Sequence, residues 1–392
     1  MSKLKLSEPV LIALSGLCAL AIAMGIGRFS FTAILPIMQS EGKISLANGG
    51  LLASANYIGY FVGALLSSRL HLKSITQLLL GIGLVIATTF LMGLINHLDS
   101  WLLLRFISGG GSALVLVSTS ALCVSRLVKL QKSHLAGIVF TGVGTGITLV
   151  GLIAFYFAIN QLESSQLWLT LGGLSIALIA GTQQLWKPET SQPVLTTPSS
   201  SETSEPILKP SILVLCYGLM GFGYILPATF LPAQARLLLQ SQTLFGLAWP
   251  IFGITAAIST YCLIYLKQLS NRSFIWAICQ IVMALGIALP LVAPNLISIM
   301  LAATAVGGTF MIITMLGLQE AQRSASGQTH RLMGKMTSAF AIGQLLGPIV
   351  VKLLLGITDS GMEVAQLLAI TGLVISSLLL LTAKKSPIGQ EI

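Results

Sequence analysis

Met24-Gly25-Ile26-Gly27-Arg28, followed by Leu35-Pro36, returns without a gap as Met220-Gly221-Phe222-Gly223-Tyr224, followed by Leu231-Pro232, at an offset of 196 residues. The same offset carries Gly50-Leu51 onto Gly246-Leu247. An offset of 197 carries Gly110-Gly111-Ser112 onto Gly307-Gly308-Thr309, and Gly137 and Gly146 onto Gly334 and Gly343. A fixed long period marks a repeated architecture, so the chain reads as two parallel halves.

Both copies lie in apolar runs. Of 392 residues, 55% are hydrophobic and only 8% charged, whereas soluble domains carry roughly a quarter charged residues. The runs fall at 10–38, 46–68, 75–95, 101–125, 134–158 and 166–186, and again at 211–235, 243–266, 273–293, 296–320, 331–356 and 364–383. Each is long enough for a bilayer core, which takes roughly 20 apolar residues. These runs predict an all-α membrane protein of twelve transmembrane helices in two pseudo-symmetric six-helix bundles, residues 1–186 and 211–392. Between them 187–210, rich in Ser, Thr, Pro and Glu, is expected to be a flexible cytoplasmic linker.

Charge placement orients the chain. With a cytoplasmic N-terminus, sixteen Lys and Arg fall in loops and termini on that side, and three on the other, Lys43, Arg236 and Lys352. Short loops rich in Lys and Arg stay inside, so both termini are expected in the cytoplasm of a bacterium, with the spans in its inner membrane. Lys3 and Lys5 before an apolar run containing Ala21-Ile22-Ala23 imitate a signal peptide. The run continues to Pro36 and recurs near residue 220, so cleavage is not expected. The five cysteines lie in apolar runs with no paired spacing or accompanying ligands, and neither disulfide nor metal is expected.

Leu104-Arg105-Phe106-Ile107-Ser108-Gly109-Gly110-Gly111 resembles the Arg-x-x-x-Gly motif in the fourth helix of the major facilitator superfamily. Gly27-Arg28-Phe29, Leu35-Pro36 and Ala55-Asn56-Tyr57-Ile58-Gly59-Tyr60 are similar to its YbfB/YjiJ branch. The resemblance covers essentially the whole chain. It implies a secondary transporter whose first, fourth, seventh and tenth helices line a cavity at the bilayer midplane. The chain departs from the superfamily's loop motif between helices two and three, where Ser67 stands in place of the usual Asp. It also lacks the helix-five Pro of the antiporter signature.

Ten of the eleven carboxylates fall in loops, linker or termini. Glu320 alone touches a span, at its end. Arg28 and Arg105 are cations inside spans, where an unpaired charge costs about 2.5 kcal/mol or more. Arg28, near mid-helix on a cavity helix, suits an anionic solute because its planar fork matches a carboxylate. Thr32, Asn56, Tyr57, Thr141, Thr145, Tyr224 and Gln344 are further candidates for solute binding, and Tyr224 is expected to face Arg28. The alternative is structural: Arg28 bonding helix-end carbonyls or polar neighbours, and the hydroxyls bonding their own helices. Arg105, Arg69 and Glu320 are candidates for coupling or gating, Arg105 with a snorkelling alternative.

The expected function is therefore movement of a small organic anion by alternating access, driven by an ion gradient such as that of protons. Lipophilic efflux and a non-transporting membrane sensor are the competing readings. No enzyme activity, cofactor or nucleic-acid partner is expected. The partners expected are the solute, possible coupling protons and the lipid bilayer, with the chain a monomer.

Overall fold

The computed structural model describes residues 7–69, 72–187, 208–238, 248–262, 271–324, 329–358 and 360–382. Most of the expected linker, 188–207, lies outside these. Helices account for nearly all the described residues. They are α1 (Glu8–Ser40), α2 (Leu46–Arg69), α3 (Ser74–Leu94), α4 (Leu98–Lys129), α5 (Ala136–Ile159) and α6 (Ser164–Ile179). After the linker come α7 (Pro210–Leu238), α8 (Ala248–Cys262), α9 (Arg272–Val292), α10 (Leu296–Ser324), α11 (Thr329–Leu355) and α12 (Gly361–Thr382). Eleven are long and apolar enough to cross a membrane; the described part of α8 is shorter, at 15 residues.

A spanning helix satisfies its own backbone, and its outer side chains need only be apolar. Accordingly Leu285, Ile297 and Leu353 are more than half exposed on the outside. Inside, glycines let backbones touch, the usual means of close approach between membrane helices. A Cβ on Gly25 of α1 would run into the main chain of Gly146 on α5, and one on Gly343 of α11 into the main chain around Gly221 on α7. These are the repeat-related pairs of the sequence, so the repeated letters build a repeated crossing.

Between the two sequence halves the most extensive contacts are those of α2 against α11 and of α5 against α8. The second is backbone on backbone. A Cβ on Gly144 would strike the main chain of Gly253 and Ala257, and one on Gly253 the main chain of Thr148.

Just beyond α1, the Glu41 carboxylate accepts hydrogen bonds from the backbone N–H and the hydroxyl of Ser164, at the start of α6. Lys43 Nζ sits 3.1 Å from it. Partial burial raises the acid's pKa, but these donors outweigh it and hold Glu41 below the ordinary carboxylate value.

Candidate functional site

The site is built around an irregularity in α1. From Ala21 to Arg28 the helix widens, and the Phe29 N–H reaches back five residues to Met24 O at 3.0 Å. Such a turn leaves carbonyls aimed outward, and it recurs at functional sites. Here α4 supplies the donors. Ser112 Oγ donates to Ala23 O at 2.7 Å and Ser108 Oγ to Gly27 O at 2.8 Å. Arg105 completes the row, with Nη1 on Gly27 O at 3.0 Å and Nη2 on Arg28 O at 3.1 Å. Its guanidinium also lies over the Phe31 ring.

Arg105 is 3% exposed and turned inward onto α1, so the snorkelling reading does not hold. Its contacts are those of a clamp on helix-end carbonyls. Sequence reasoning reserved that structural role for Arg28 as an alternative. Ser108 and Ser112 were missed as candidates, although Arg105-x-x-Ser108-x-x-x-Ser112 is a polar stripe at helical spacing in an apolar span.

The clamp frees the Arg28 side chain to point inward. It too is 3% exposed, with its guanidinium carbon 3.9 Å from the Tyr60 ring centroid and 5.4 to 5.7 Å from Phe29, Tyr57 and Phe340. Its Nη2 donates to the Gln344 side-chain oxygen on α11, a bond between the two sequence halves. Its Nε and Nη1 have no hydrogen-bond acceptor, and neither does the Gln344 amide nitrogen have one. Cation–π contact offsets part of the charge, but no carboxylate does: among the described residues Glu320 is the one buried acid, and it is paired elsewhere.

Tyr224 lies within the same buried core. Its ring stacks on Phe310 at 4.9 Å and on Phe340 at 6.0 Å, and Phe340 in turn borders the Arg28 guanidinium. Its hydroxyl is buried with no hydrogen-bond partner. Phe252 and Trp249 of α8 extend the stack, at 5.1 Å from Phe310 and 5.2 Å from each other. These rings were also missed, because an aromatic in an apolar helix gives no sign of which side it faces.

Of the remaining candidates, Tyr57 belongs to this cluster. Asn56 is buried on α2 and donates to Arg105 O at 2.9 Å, which ties it to the clamp. Thr32 is half-buried, one turn beyond Arg28. Thr141 Oγ1 bonds Gly137 O of its own helix and meets Thr260 Oγ1 on α8 at 3.1 Å, and Thr145 donates to Thr141 O, the backbone bonding named as the alternative for the hydroxyls. Thr141 thus reaches α8, while Thr145 bonds within α5.

The gating candidates divide. Arg69 is exposed at the end of α2. The Ser67 hydroxyl, at the position of the superfamily's Asp, donates to Gln77 Oε1 at 2.7 Å, so a neutral pair ties α2 to α3. In the second half the comparable corner is ionic: Glu320 on α10 lies 3.1 Å from Arg323 and 3.8 Å from Arg272 at the start of α9.

A multi-pass helical membrane protein with a glycine-crossed repeat and buried polar groups from both halves has the form of a solute transporter of the major facilitator type. The family model described as "Uncharacterised MFS-type transporter YbfB" matches residues 20–381, and the chain belongs to that family. The "Uncharacterized MFS-type transporter YceJ" of Bacillus subtilis (strain 168) is 30% identical over 154 residues, 38% of this chain and 34% of that relative. The matched stretch thus spans about a third of the relative's length.

Proposed function

We propose that this protein carries a small organic anion across the bacterial inner membrane by alternating access, with Arg28 as the anchor for the anion. Two six-helix bundles, residues 1–186 and 211–392, rock about the central site, with both termini and the linker in the cytoplasm. The observation that carries the reading is a buried arginine with unused donors and, among the described residues, no acidic partner, whose hydrogen bond to the other half goes to the neutral Gln344 oxygen. An uncompensated cation in a membrane core is costly and marks a site of function, and an anion entering from solution would neutralise it.

The solute's own charge does the work that a buried carboxylate does in cation carriers. Drive comes from an ion gradient, protons being the expected coupling ion. Uptake into proteoliposomes of labelled carboxylates, sugars, amino acids and lipophilic cations, with and without a pH gradient, tests this. Carboxylate flux that disappears in Arg28→Ala supports the reading; transport of cations in place of anions overturns it.

A further inference from the structure

We infer that the solute is a flat aromatic monocarboxylate with a hydrogen-bond acceptor on its ring. The inference rests on the anion reading and narrows it.

Both Nη atoms of Arg105 are bonded to carbonyls of α1 and its guanidinium lies over Phe31, so the guanidinium that borders the rings of the second half is that of Arg28. One guanidinium fork seats one carboxylate, and a second carboxylate carried in among the rings would meet no cation there. Gln344 Oε1 on Nη2 occupies the place of a carboxylate oxygen. A ligand carboxylate that takes over that place also meets the Nε–H on the same edge, giving the paired bonds a guanidinium forms best.

The shape follows from the rings beside the arginine. Trp249, Phe252, Phe310, Tyr224 and Phe340 form a continuous series ending at the Arg28 guanidinium, with successive centroids 4.9 to 6.0 Å apart. Successive planes are inclined by only 5° to 29°. Near-parallel faces complement a planar ring better than a puckered or branched body, because offset stacking adds to area burial. Four helices, α7, α8, α10 and α11, supply these rings. Arg28 comes from α1, so ring and carboxylate would be held by different halves.

The acceptor follows from two donors left over. Tyr224 hydroxyl and Trp249 Nε1 are buried within the stack with no hydrogen-bond partner. Buried donors without partners cost about 1–3 kcal/mol each, and a ring substituent that accepts a hydrogen bond removes that cost.

Binding to the purified full-length protein in lipid nanodiscs tests this, read by tryptophan fluorescence quenching and thermal shift so that passive leak of weak acids does not intrude. The ligands are 4-hydroxybenzoate, benzoate, cyclohexanecarboxylate, terephthalate and benzamide at pH 7. The expected order is 4-hydroxybenzoate, then benzoate, with cyclohexanecarboxylate and terephthalate about tenfold weaker than benzoate or more. Phe310→Leu, checked for an unchanged elution profile, should erase the preference of benzoate over cyclohexanecarboxylate while keeping carboxylate binding. Cyclohexanecarboxylate binding as tightly as benzoate overturns the aromatic inference and leaves the anion reading standing. Terephthalate matching benzoate overturns the single-charge argument alone. Benzamide binding as tightly as benzoate, or no binding by any carboxylate, overturns both the anion reading and this inference.

Discussion

α1 and α7 carry the same Met-Gly-x-Gly motif at corresponding places, yet only α1 widens there; α7 runs as regular helix from Pro210 to Leu238. The motif is therefore not what widens the helix. The difference lies in the partner. At the repeat offset of 197, Arg105, Ser108 and Ser112 of α4 correspond to Ala302, Ala305 and Thr309 of α10. The first two of these have no side-chain donor, and Thr309 bonds Ala305 O in its own helix. A wide turn exposes carbonyls, and it persists only where a neighbour satisfies them. The same comparison separates the site's two faces: Arg28, Asn56, Ala113 and Val143 of the first half stand where the second has Tyr224, Phe252, Phe310 and Phe340.

The strongest way to break the comparison is Arg105→Ala. It orphans the Arg28 carbonyl at about 1–3 kcal/mol and leaves Gly27 O to Ser108 alone, and a marked fall in Tm of the detergent-purified protein is expected. An unchanged Tm would mean that α1 holds its own wide turn. Arg28→Leu should do the reverse. Removing an uncompensated cation leaves Tm level or higher, while carboxylate binding falls more than about 100-fold, since charge-assisted bonds contribute roughly 1.5–3 kcal/mol each. Equal stability losses in the two variants would erase the distinction between clamp and anchor.

Gln344→Glu places a permanent carboxylate against Arg28, and added carboxylates should bind about tenfold more weakly at pH 7, measured by fluorescence titration. Ser112→Ala should cost about 1 kcal/mol, whereas Thr309→Ala at the matching place should stay within about 0.5 kcal/mol; equal losses would dissolve the asymmetry. The smallest effect concerns Glu41. Its folded pKa is depressed, so its contribution is present above the unfolded value of about 4.3 and is lost as pH falls through the folded value. Tm measured against pH in wild type and Glu41→Gln should converge at the acid end and separate above it.

Helix positions were legible because length and apolarity are local properties: the run read at 75–95 is helix Ser74–Leu94, and that at 273–293 is Arg272–Val292. The repeat was legible because glycine crossings leave letters behind. What each polar residue faces was not. Thr141 and Thr145 read as solute candidates, and the sequence does not tell that both hydroxyls bond the backbone of α5 or that Thr141 also meets Thr260 of α8. Arg105 and Arg28 read alike, as buried cations. The distance in sequence from Arg105 to Gly27, and from Arg28 to Gln344, hides which one spends its donors on backbone and which keeps them.

The α5–α8 crossing has a kinetic consequence. At Gly144 the main chains of α5 and α8 meet directly, while the Thr148 and Ile147 side chains of α5 lie over Gly253 and the Pro250 ring of α8 lies over Gly151, so the two helices fit closely and move past each other only by small steps. Polar contacts between the two halves have to be unmade one by one: Thr141 with Thr260 at 3.1 Å in this seam, Arg28 with Gln344, and the Gln322 amide with the Ser125 hydroxyl at 2.9 Å. In the rocking cycle proposed above, these few polar bonds, between α5 and α8, α1 and α11, and α4 and α10, are the steps that limit turnover, each one unmade and remade in every passage.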